Sequence, residues 1–149
     1  MRAVIQRVTQ ASVVVDDSIT GKIEHGLLVL LAVGEGDTEK DLKYVYNKTI
    51  GLRVFEDEQQ KMNRSVIDVN GSLLVVSQFT LFGDVRRGKR PSFTAAATPE
   101  LANEYYEQFV ALAKRDEIDT QTGVFQADMA VSLVNDGPVT ILLDSKKTF

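Results

Sequence analysis

The feature that most constrains the fold is an unbroken apolar run of seven residues, from Leu27 to Val33. A helix that crosses a membrane needs about 20 such residues, so this run is too short to span a bilayer. Its length and aliphatic composition are typical of a strand that is covered on both faces. The run therefore predicts the central strand of a sheet.

Strand patterns precede this run along the chain. Arg2 to Val8 alternates polar and apolar residues, and Ala11 to Val15 is rich in β-branched side chains. Both patterns favour strands. Asp16 to Ser18 is typical of a turn, and Thr20 to Glu24 follows as a short strand. The opening of the chain therefore predicts a meander of antiparallel strands.

Two later segments carry the signals of helix starts. Thr38 is followed three residues later by Asp41, which is the pattern of a capping box, and predicts a helix that runs to about Thr49. Thr98-Pro99-Glu100 offers an N-cap, a proline at the first helical position and an acid in the first turn. It predicts a second helix that ends near Lys114.

Asn70-Gly71 is the strongest short-range hairpin signal in the sequence, and it predicts that Val66 to Val69 pairs with Leu73 to Leu81. Further strands are predicted at Leu52 to Phe55, Met129 to Val134 and Val139 to Leu143. Residues 1–149 are predicted to form a single α+β domain. Its sheet is expected to be mostly antiparallel and barrel-like, with two main helices.

Composition excludes several kinds of chemistry. The chain has no Cys, which excludes disulfides, thiolate nucleophiles and thiolate metal sites. Its one His, His25, lies in the turn-like sequence GKIEHG, so a Ser-His-Asp triad is not expected and no metal or cofactor is predicted. The formal net charge of -4 argues against a protein that coats nucleic acid through bulk charge. No signal-peptide pattern opens the chain, so a cytoplasmic location is expected.

Polar side chains interrupt the predicted strand after Val76. Ser77, Gln78 and Thr80 surround Phe79 there. Burying a hydroxyl or an amide without a partner costs about 1–3 kcal/mol. The segment is therefore either a strand whose hydroxyls are bonded locally or one wall of a polar pocket.

Four cations follow within five residues: Arg86, Arg87, Lys89 and Arg90. A plain solvated face would explain them, and so would a patch that contacts phosphate. Farther along, Gly137-Pro138 is either an ordinary turn or a cis proline that presents backbone carbonyls at a fixed angle. A polar pocket beside a cationic loop suggests a small reactive group attached to an anionic molecule.

The sequence resembles the D-aminoacyl-tRNA deacylase family of chiral-proofreading enzymes. The resemblance rests on SQFTL with the following GKRPSF, on QTGVFQADM and SLVNDGPVT, and on the opening MRAVIQRVTQASV. It runs from Met1 to about Leu143. It implies an enzyme that hydrolyses the ester bond of D-aminoacyl-tRNA, and of mischarged glycyl-tRNA, releasing the amino acid and free tRNA. It also implies a homodimer whose active sites lie at the subunit interface.

The resemblance implies roles for individual residues. Ser77 to Thr80 would line the pocket for the aminoacyl-adenosine end. Gly137-Pro138 would form a Gly-cis-Pro gate, inserted from the neighbouring subunit, that rejects L-aminoacyl-tRNA. Arg7 would hold the orientation of that gate, and Ala102 would line the adenosine site. Two more residues would wall the pocket: Phe125 and Met129. With tRNA as the substrate, the four cations are the expected contacts for phosphates near the acceptor end.

Alternatives stay open for the mechanism and for the class of protein. An aminoacyl ester is already activated by its ammonium group and by the ribose 2′-hydroxyl, so water needs mainly positioning and an oxyanion site. Backbone N–H groups near Phe79 and Thr80 are the candidates for that site, and Thr80 as a covalent nucleophile is the alternative.

Two other classes of protein stay open. One is a hydrolase of a different small ester or amide that uses Thr80 or Ser77 covalently. Another is a non-enzymatic module that binds RNA or is associated with DNA replication. No membrane and no DNA partner is expected.

Overall fold

The computed structural model describes the whole chain, Met1 to Phe149. Its strands are β1 (Arg2–Val15), β2 (Ser18–Ile23), β3 (Gly26–Ala32), β4 (Phe55–Glu56), β5 (Met62–Arg64), β6 (Ser72–Ser77), β7 (Thr120–Thr122) and β8 (Ala130–Asp144). Its helices are α1 (Glu39–Gly51) and α2 (Pro99–Arg115). A short 3-10 turn (Phe79–Phe82) follows β6.

Six strands form one sheet, in which β1 is shared by three partners. The order is β2-β1-β3-β6-β7, and β8 pairs with β1 as well. β3 pairs with the first half of β1 and β2 pairs with the second half. β8 pairs along nearly the whole of β1, from Arg2 opposite Asp144 to Val14 opposite Ala130. The first and last strands of the chain are therefore neighbours.

The sheet curls so that β2 approaches β7. A Cβ added to Gly21 of β2 would lie 2.4 Å from the carbonyl oxygen of Thr122 in β7, so the close approach requires a residue without a side chain. A small core drawn from strand residues alone supports this curl. It consists of Val8, Ala11, Val13, Ile23, Leu28, Leu74 and Val76. The barrel-like sheet expected from the sequence is confirmed.

β3 is the central strand that the apolar run predicts. It pairs with β1 on one side and with β6 on the other. Leu27 and Val29 belong to the larger core, which the sheet shares with both helices, whereas Leu28 belongs to the strand-only core. Both faces of β3 are covered, which explains why its sequence is apolar throughout rather than alternating.

Parallel pairing is the main departure from the predicted topology. β6 pairs in parallel with β3, and β7 pairs in parallel with β6. Parallel neighbours need a long crossover connection, and α1 and α2 lie in these two connections. The other pairings are antiparallel, so the mostly antiparallel α+β class is confirmed. The meander is wrong, because β2 and β3 both pair with β1 rather than with each other.

The hairpin predicted at Asn70-Gly71 is also wrong. Residues 66–70 form turns instead of a strand. Ser65 N donates to Asp68 Oδ2 at 2.8 Å, and Asp68 N donates to Ser65 Oγ at 3.2 Å. Val66 is fully buried. Local hydrogen bonds and this one buried side chain therefore fix a turn where the sequence pattern indicated a strand.

Both helices begin where the capping signals predict. Thr38 N donates to the Asp41 carboxylate at 2.8 Å, and Thr98 Oγ1 accepts from Leu101 N at 3.4 Å. Each helix ends within two residues of the expected position. Neither has the length and apolar composition that crossing a bilayer requires.

Three strand predictions need smaller corrections. The strands predicted at 129–134 and 139–143 are parts of one continuous β8, whose pairing with β1 shifts register around Val8. The strand predicted to reach Leu81 ends at Ser77, because the chain then winds into the 3-10 turn. The strand predicted at 52–55 is reduced to the short β4.

An ion network anchors the C-terminal tail to the start of α1. The terminal ammonium group of Met1 pairs with the buried Asp37 at 2.5 Å. Lys146 Nζ lies 2.8 Å from Asp41 Oδ1 and 3.5 Å from Asp37 Oδ1. Burial alone would raise the pKa of Asp41, but hydrogen bonds, led by the one from Lys146, outweigh it and hold that pKa well below its usual range. Asp41 is therefore ionised near neutral pH.

Candidate active site

A cavity of about 670 Å³ opens beside the end of β6. Its walls come from the ends of β3 and β6, from residues 93–99, from the first turns of α2 and from residues 125–131. Most of the side chains that line it are apolar. The polar ones are Ser77, Gln78, Tyr106, Gln126 and Asp128. An apolar cavity of this size with a few polar groups is typical of a small-molecule binding site.

Six of the ten residues predicted for the pocket and its gate line this cavity. They are Ser77, Gln78, Phe79, Ala102, Phe125 and Met129. Thr80, Arg7 and Gly137-Pro138 do not line it within this chain. The fold thus brings the strand-end segment and the pocket walls together, and leaves the gate segment elsewhere on the chain.

The chain turns away from the sheet directly after Ser77. Gln78 has φ -146° and ψ 71°, and residues 79–82 form the single 3-10 turn. The first N–H groups of such a turn have no carbonyl partner within the turn. The N–H groups of Phe79 and Thr80 therefore remain available to bind a negatively charged oxygen.

The side chain of Thr80 is exposed and is bonded to its neighbour Gln78. Gln78 Nε2 donates to Thr80 Oγ1, and an amide N–H group cannot take up the proton that a hydroxyl nucleophile must lose. The single histidine, His25, lies in an exposed bend against Phe55 and does not line the cavity. Neither Gln78 nor His25 therefore supplies Thr80 with a general base.

Tyr106 forms a rigid part of the cavity wall and was not identified from the sequence. Its hydroxyl group donates to the carbonyl oxygen of Val75 at 2.9 Å, and its ring lies 6.0 Å from that of Phe125, centroid to centroid. Burial raises the pKa of Tyr106 to about 12, so the phenol is neutral near pH 7. The capping signals that predict this helix do not indicate which of its side chains line a cavity.

Three further cavity residues were also missed. Phe93 packs edge-on against Phe79, with ring centroids 5.1 Å apart. Gln126 and Asp128 are exposed at the edge of the cavity, and Gln126 has a positive φ of 63°. All three lie in irregular segments, where no hydrophobic period indicates which side chains face inward.

A buried arginine holds the segment around Gly137-Pro138, the predicted gate. The Gly137-Pro138 peptide bond is cis, and both residues are exposed. Arg7 Nε donates to the carbonyl oxygen of Asp136 at 3.0 Å, and Arg7 Nη1 donates to that of Val54 at 2.6 Å. Val139 N donates to Asn135 Oδ1 on the other side of the segment at 2.7 Å. Arg7 therefore contacts the segment whose orientation it is predicted to hold.

The four predicted cations lie in a loop that we call the basic loop, residues 84–92. Two backbone hydrogen bonds close its base, from Asp84 N to Ser92 O at 2.8 Å and from Ser92 N to Asp84 O at 3.0 Å. The hydrogen bonds from Arg86 lower the pKa of Asp84 to about 2. The two ends of the basic loop are therefore held together by hydrogen bonds.

Comparisons with known proteins agree with this architecture. The family model described as D-Tyr-tRNA(Tyr) deacylase matches residues 4–144. The D-aminoacyl-tRNA deacylases of Koribacter versatilis (strain Ellin345) and Desulfitobacterium hafniense (strain DSM 10664 / DCB-2) are 63% and 60% identical to this chain over 149 residues. Each match covers 100% of both chains.

Two solved structures have the same fold. The c-Myc DNA Unwinding Element Binding Protein superposes with a TM-score of 0.91 at 42% identity, over 97% of this chain and 98% of that one. A probable eukaryotic D-amino acid tRNA deacylase superposes with a TM-score of 0.79 over 95% of this chain and 97% of that one. At 15% identity, the second likeness bears on the fold alone.

A full-length match of this kind defines a hydrolase that acts on an acyl bond. The chain belongs to the D-Tyr-tRNA(Tyr) deacylase family. The resemblance drawn from the sequence motifs and the expectation of an enzyme are both confirmed.

Proposed function

We propose that this enzyme hydrolyses the ester bond between a D-amino acid and the 3′ end of tRNA, as chiral proofreading in translation. The observation that carries the proposal is the apolar cavity beside Ser77, Gln78 and Phe79. It is supported by relatives at 63% and 60% identity that are D-aminoacyl-tRNA deacylases. The enzyme acts in the cytoplasm, where charged tRNA is made and used.

The cavity suits the terminal adenosine of the substrate. Ala102 leaves room beside α2, and Phe125 and Met129 offer apolar surface to a base. The ester carbonyl would then lie at the strand end, where the N–H groups of Phe79 and Thr80 stabilise the oxyanion. Water attacks this carbonyl, assisted by the ribose 2′-hydroxyl and the ammonium group of the substrate.

Thr80 positions the substrate and is not the nucleophile in this proposal. Its hydroxyl group is bonded to the amide of Gln78, and no carboxylate or imidazole group forms a hydrogen bond with it. A folded Thr80→Ala variant is therefore expected to retain measurable deacylation. Complete loss of activity in that variant, together with an acyl-enzyme trapped on the wild type, would favour covalent catalysis instead.

The gate acts between two copies of the chain. Gly137-Pro138 is exposed and lies outside the cavity of its own chain, so a second copy would have to bring it to the active site. Val134 and Leu142 are 47% and 56% exposed on the same strand, and a two-fold contact through β8 would cover such side chains. Backbone carbonyls in the gate exclude an L side chain by obstruction. Glycine has no side chain to exclude, so glycyl-tRNA is also cleaved.

The decisive experiment compares matched D- and L-tyrosyl-tRNA, each with and without a chelator. Cleavage of the D form alone, unchanged by the chelator, is expected. Cleavage of both forms, or of neither, would contradict the proposal. Glycyl-tRNA in the same assay tests whether exclusion is purely steric, because a steric gate must pass it.

A mixing experiment tests whether the gate comes from the partner. Ala102→Trp fills the cavity, and Gly137→Val adds to the gate a side chain that would obstruct D and L substrates alike, so each variant alone is expected to be inactive. If the gate acts in trans, refolding the two together creates dimers with one intact site and restores part of the activity. A mixture that stays inactive although it sediments as a dimer would place the gate and the cavity in the same chain.

A further inference from the structure

The basic loop divides its four cations into two groups. The Asp84 carboxylate accepts hydrogen bonds from Arg86 Nε at 2.9 Å, from Arg86 Nη2 at 2.6 Å and from Arg86 N at 2.9 Å. The two bonds from the guanidinium form a bidentate arginine–carboxylate pair, which is stronger than a single hydrogen bond. The guanidinium of Arg86 is therefore committed to the loop itself.

The other three cations have no such partner. Arg87, Lys89 and Arg90 are exposed, and none of them forms an ion pair, whereas Arg86 does. Three unpaired cations within four residues stand out on a chain whose net charge is -4. They form a local positive surface that the rest of the protein does not neutralise.

Both ends of the basic loop lie close to Phe93, which lines the cavity. Phe93 directly follows the loop, lines the cavity and packs on Phe79. Gly83 directly precedes it, and a Cβ there would meet Thr80 O at 3.0 Å and Phe93 Cε1 at 3.1 Å. The positive surface is therefore held close to the cavity.

We propose that Arg87, Lys89 and Arg90 bind backbone phosphates of the single-stranded acceptor end that precedes the terminal adenosine, and that the Asp84–Arg86 pair positions them. This inference rests on the proposed function, because an adenosine seated in the cavity leaves its 5′ phosphate at the mouth. Arg and Lys are the side chains suited to that contact. Arg86 holds the loop and makes no phosphate contact.

The test uses two substrates that differ in their phosphates, D-tyrosyl-tRNA and D-tyrosyl-adenosine. The triple variant Arg87→Gln/Lys89→Gln/Arg90→Gln is expected to lose about tenfold or more in kcat/KM for the tRNA at low salt, and to match the wild type on the adenosine ester. Three exposed lysines outside the cavity provide a control with the same charge change. The control variant carries Lys48→Gln, Lys61→Gln and Lys114→Gln, and it is expected to match the wild type on both substrates.

Binding of uncharged tRNA measures the same contacts without turnover. Each phosphate contact on a single strand contributes about 0.7 to the slope of log K against log salt, so the triple variant is expected to lower that slope by about 2. An unchanged slope would overturn the inference, and so would equal losses on tRNA and on the adenosine ester. If the wild type cleaved neither substrate, the proposed function would fail, while the slope would still test the loop.

Asp84→Asn separates positioning from bulk charge. If only net charge mattered, removing a carboxylate would tighten tRNA binding. If the Asp84–Arg86 pair orders the loop, Asp84→Asn weakens tRNA binding and leaves the adenosine ester unaffected. Tighter binding by this variant would overturn the positioning role.

Discussion

Replacing Arg7 by Met tests the support beneath the gate. The side chain of Arg7 is only 7% exposed, and it donates to the carbonyl oxygens of Asp136 and Val54 at 3.0 and 2.6 Å. Hydrogen bonds to charged groups contribute about 1.5–3 kcal/mol each. Arg7→Met removes both hydrogen bonds, but it also removes the cost of burying a guanidinium group. The free energy of unfolding is therefore expected to fall by about 3 kcal/mol.

Thermal unfolding and discrimination assays measure the two consequences of Arg7→Met. At about 2–4 °C per kcal/mol for a chain of this size, the Tm is expected to fall by about 6–12 °C. Below that Tm, the ratio of D- to L-tyrosyl-tRNA cleavage is expected to fall, because the gate segment loses its support. Arg53→Met, at an exposed arginine beside Val54, is the control. The Tm and the discrimination of Arg7→Lys are expected to lie between those of the control and those of Arg7→Met. A Tm within about 2 °C of the wild type, or unchanged discrimination, would refute the reasoning.

Three other predictions follow from the described contacts. The depressed pKa of Asp41 contributes stability above an unfolded value of about 3.9, and this is lost as the pH falls through the lower folded pKa. The free energy of unfolding, measured with urea, is therefore expected to fall more steeply below about pH 4 in the wild type than in Asp41→Asn. Equal slopes of this free energy against pH would contradict the prediction. Gly21→Ala puts a Cβ 2.4 Å from Thr122 O and is expected to cost about 3 kcal/mol in unfolding free energy; Gly51→Ala, with open space around it, is the control. Ala102→Trp is expected to abolish turnover while its Tm stays within about 2 °C of the wild type, and an active variant would place the substrate elsewhere.

Local signals in the sequence were sufficient where local forces decide the structure. The capping residues Thr38 and Thr98 start the two helices, and all but the last residue of the run from Leu27 to Val33 lie in the central strand β3. Ser77 and Gln78 were singled out because burying a polar side chain without a hydrogen-bond partner costs free energy. They line the cavity, and their role in the reaction stays a prediction. Six of the ten predicted pocket and gate residues meet at one cavity.

Long-range pairing could not be predicted in the same way. Asn70-Gly71 carries a hairpin signal, but β6 pairs in parallel with β3 through a crossover that contains α1. Such a pairing depends on where a whole helix packs, and no short pattern encodes that. Tyr106 was missed because an apolar helix face looks the same whether it meets a core or a cavity. Gly137-Pro138 lies outside the cavity of its own chain, so a role for it at the cavity stays a prediction.

The pairing of β1 with β8 joins strands from the two ends of the chain. Synthesis proceeds from the N-terminus, so β1 leaves the ribosome long before its last partner exists. A chain cut short before Ala130 would expose a long unpaired strand edge, which is a template for aggregation. It would also lack Gly137-Pro138. Fragments released by premature termination of translation are therefore expected to aggregate.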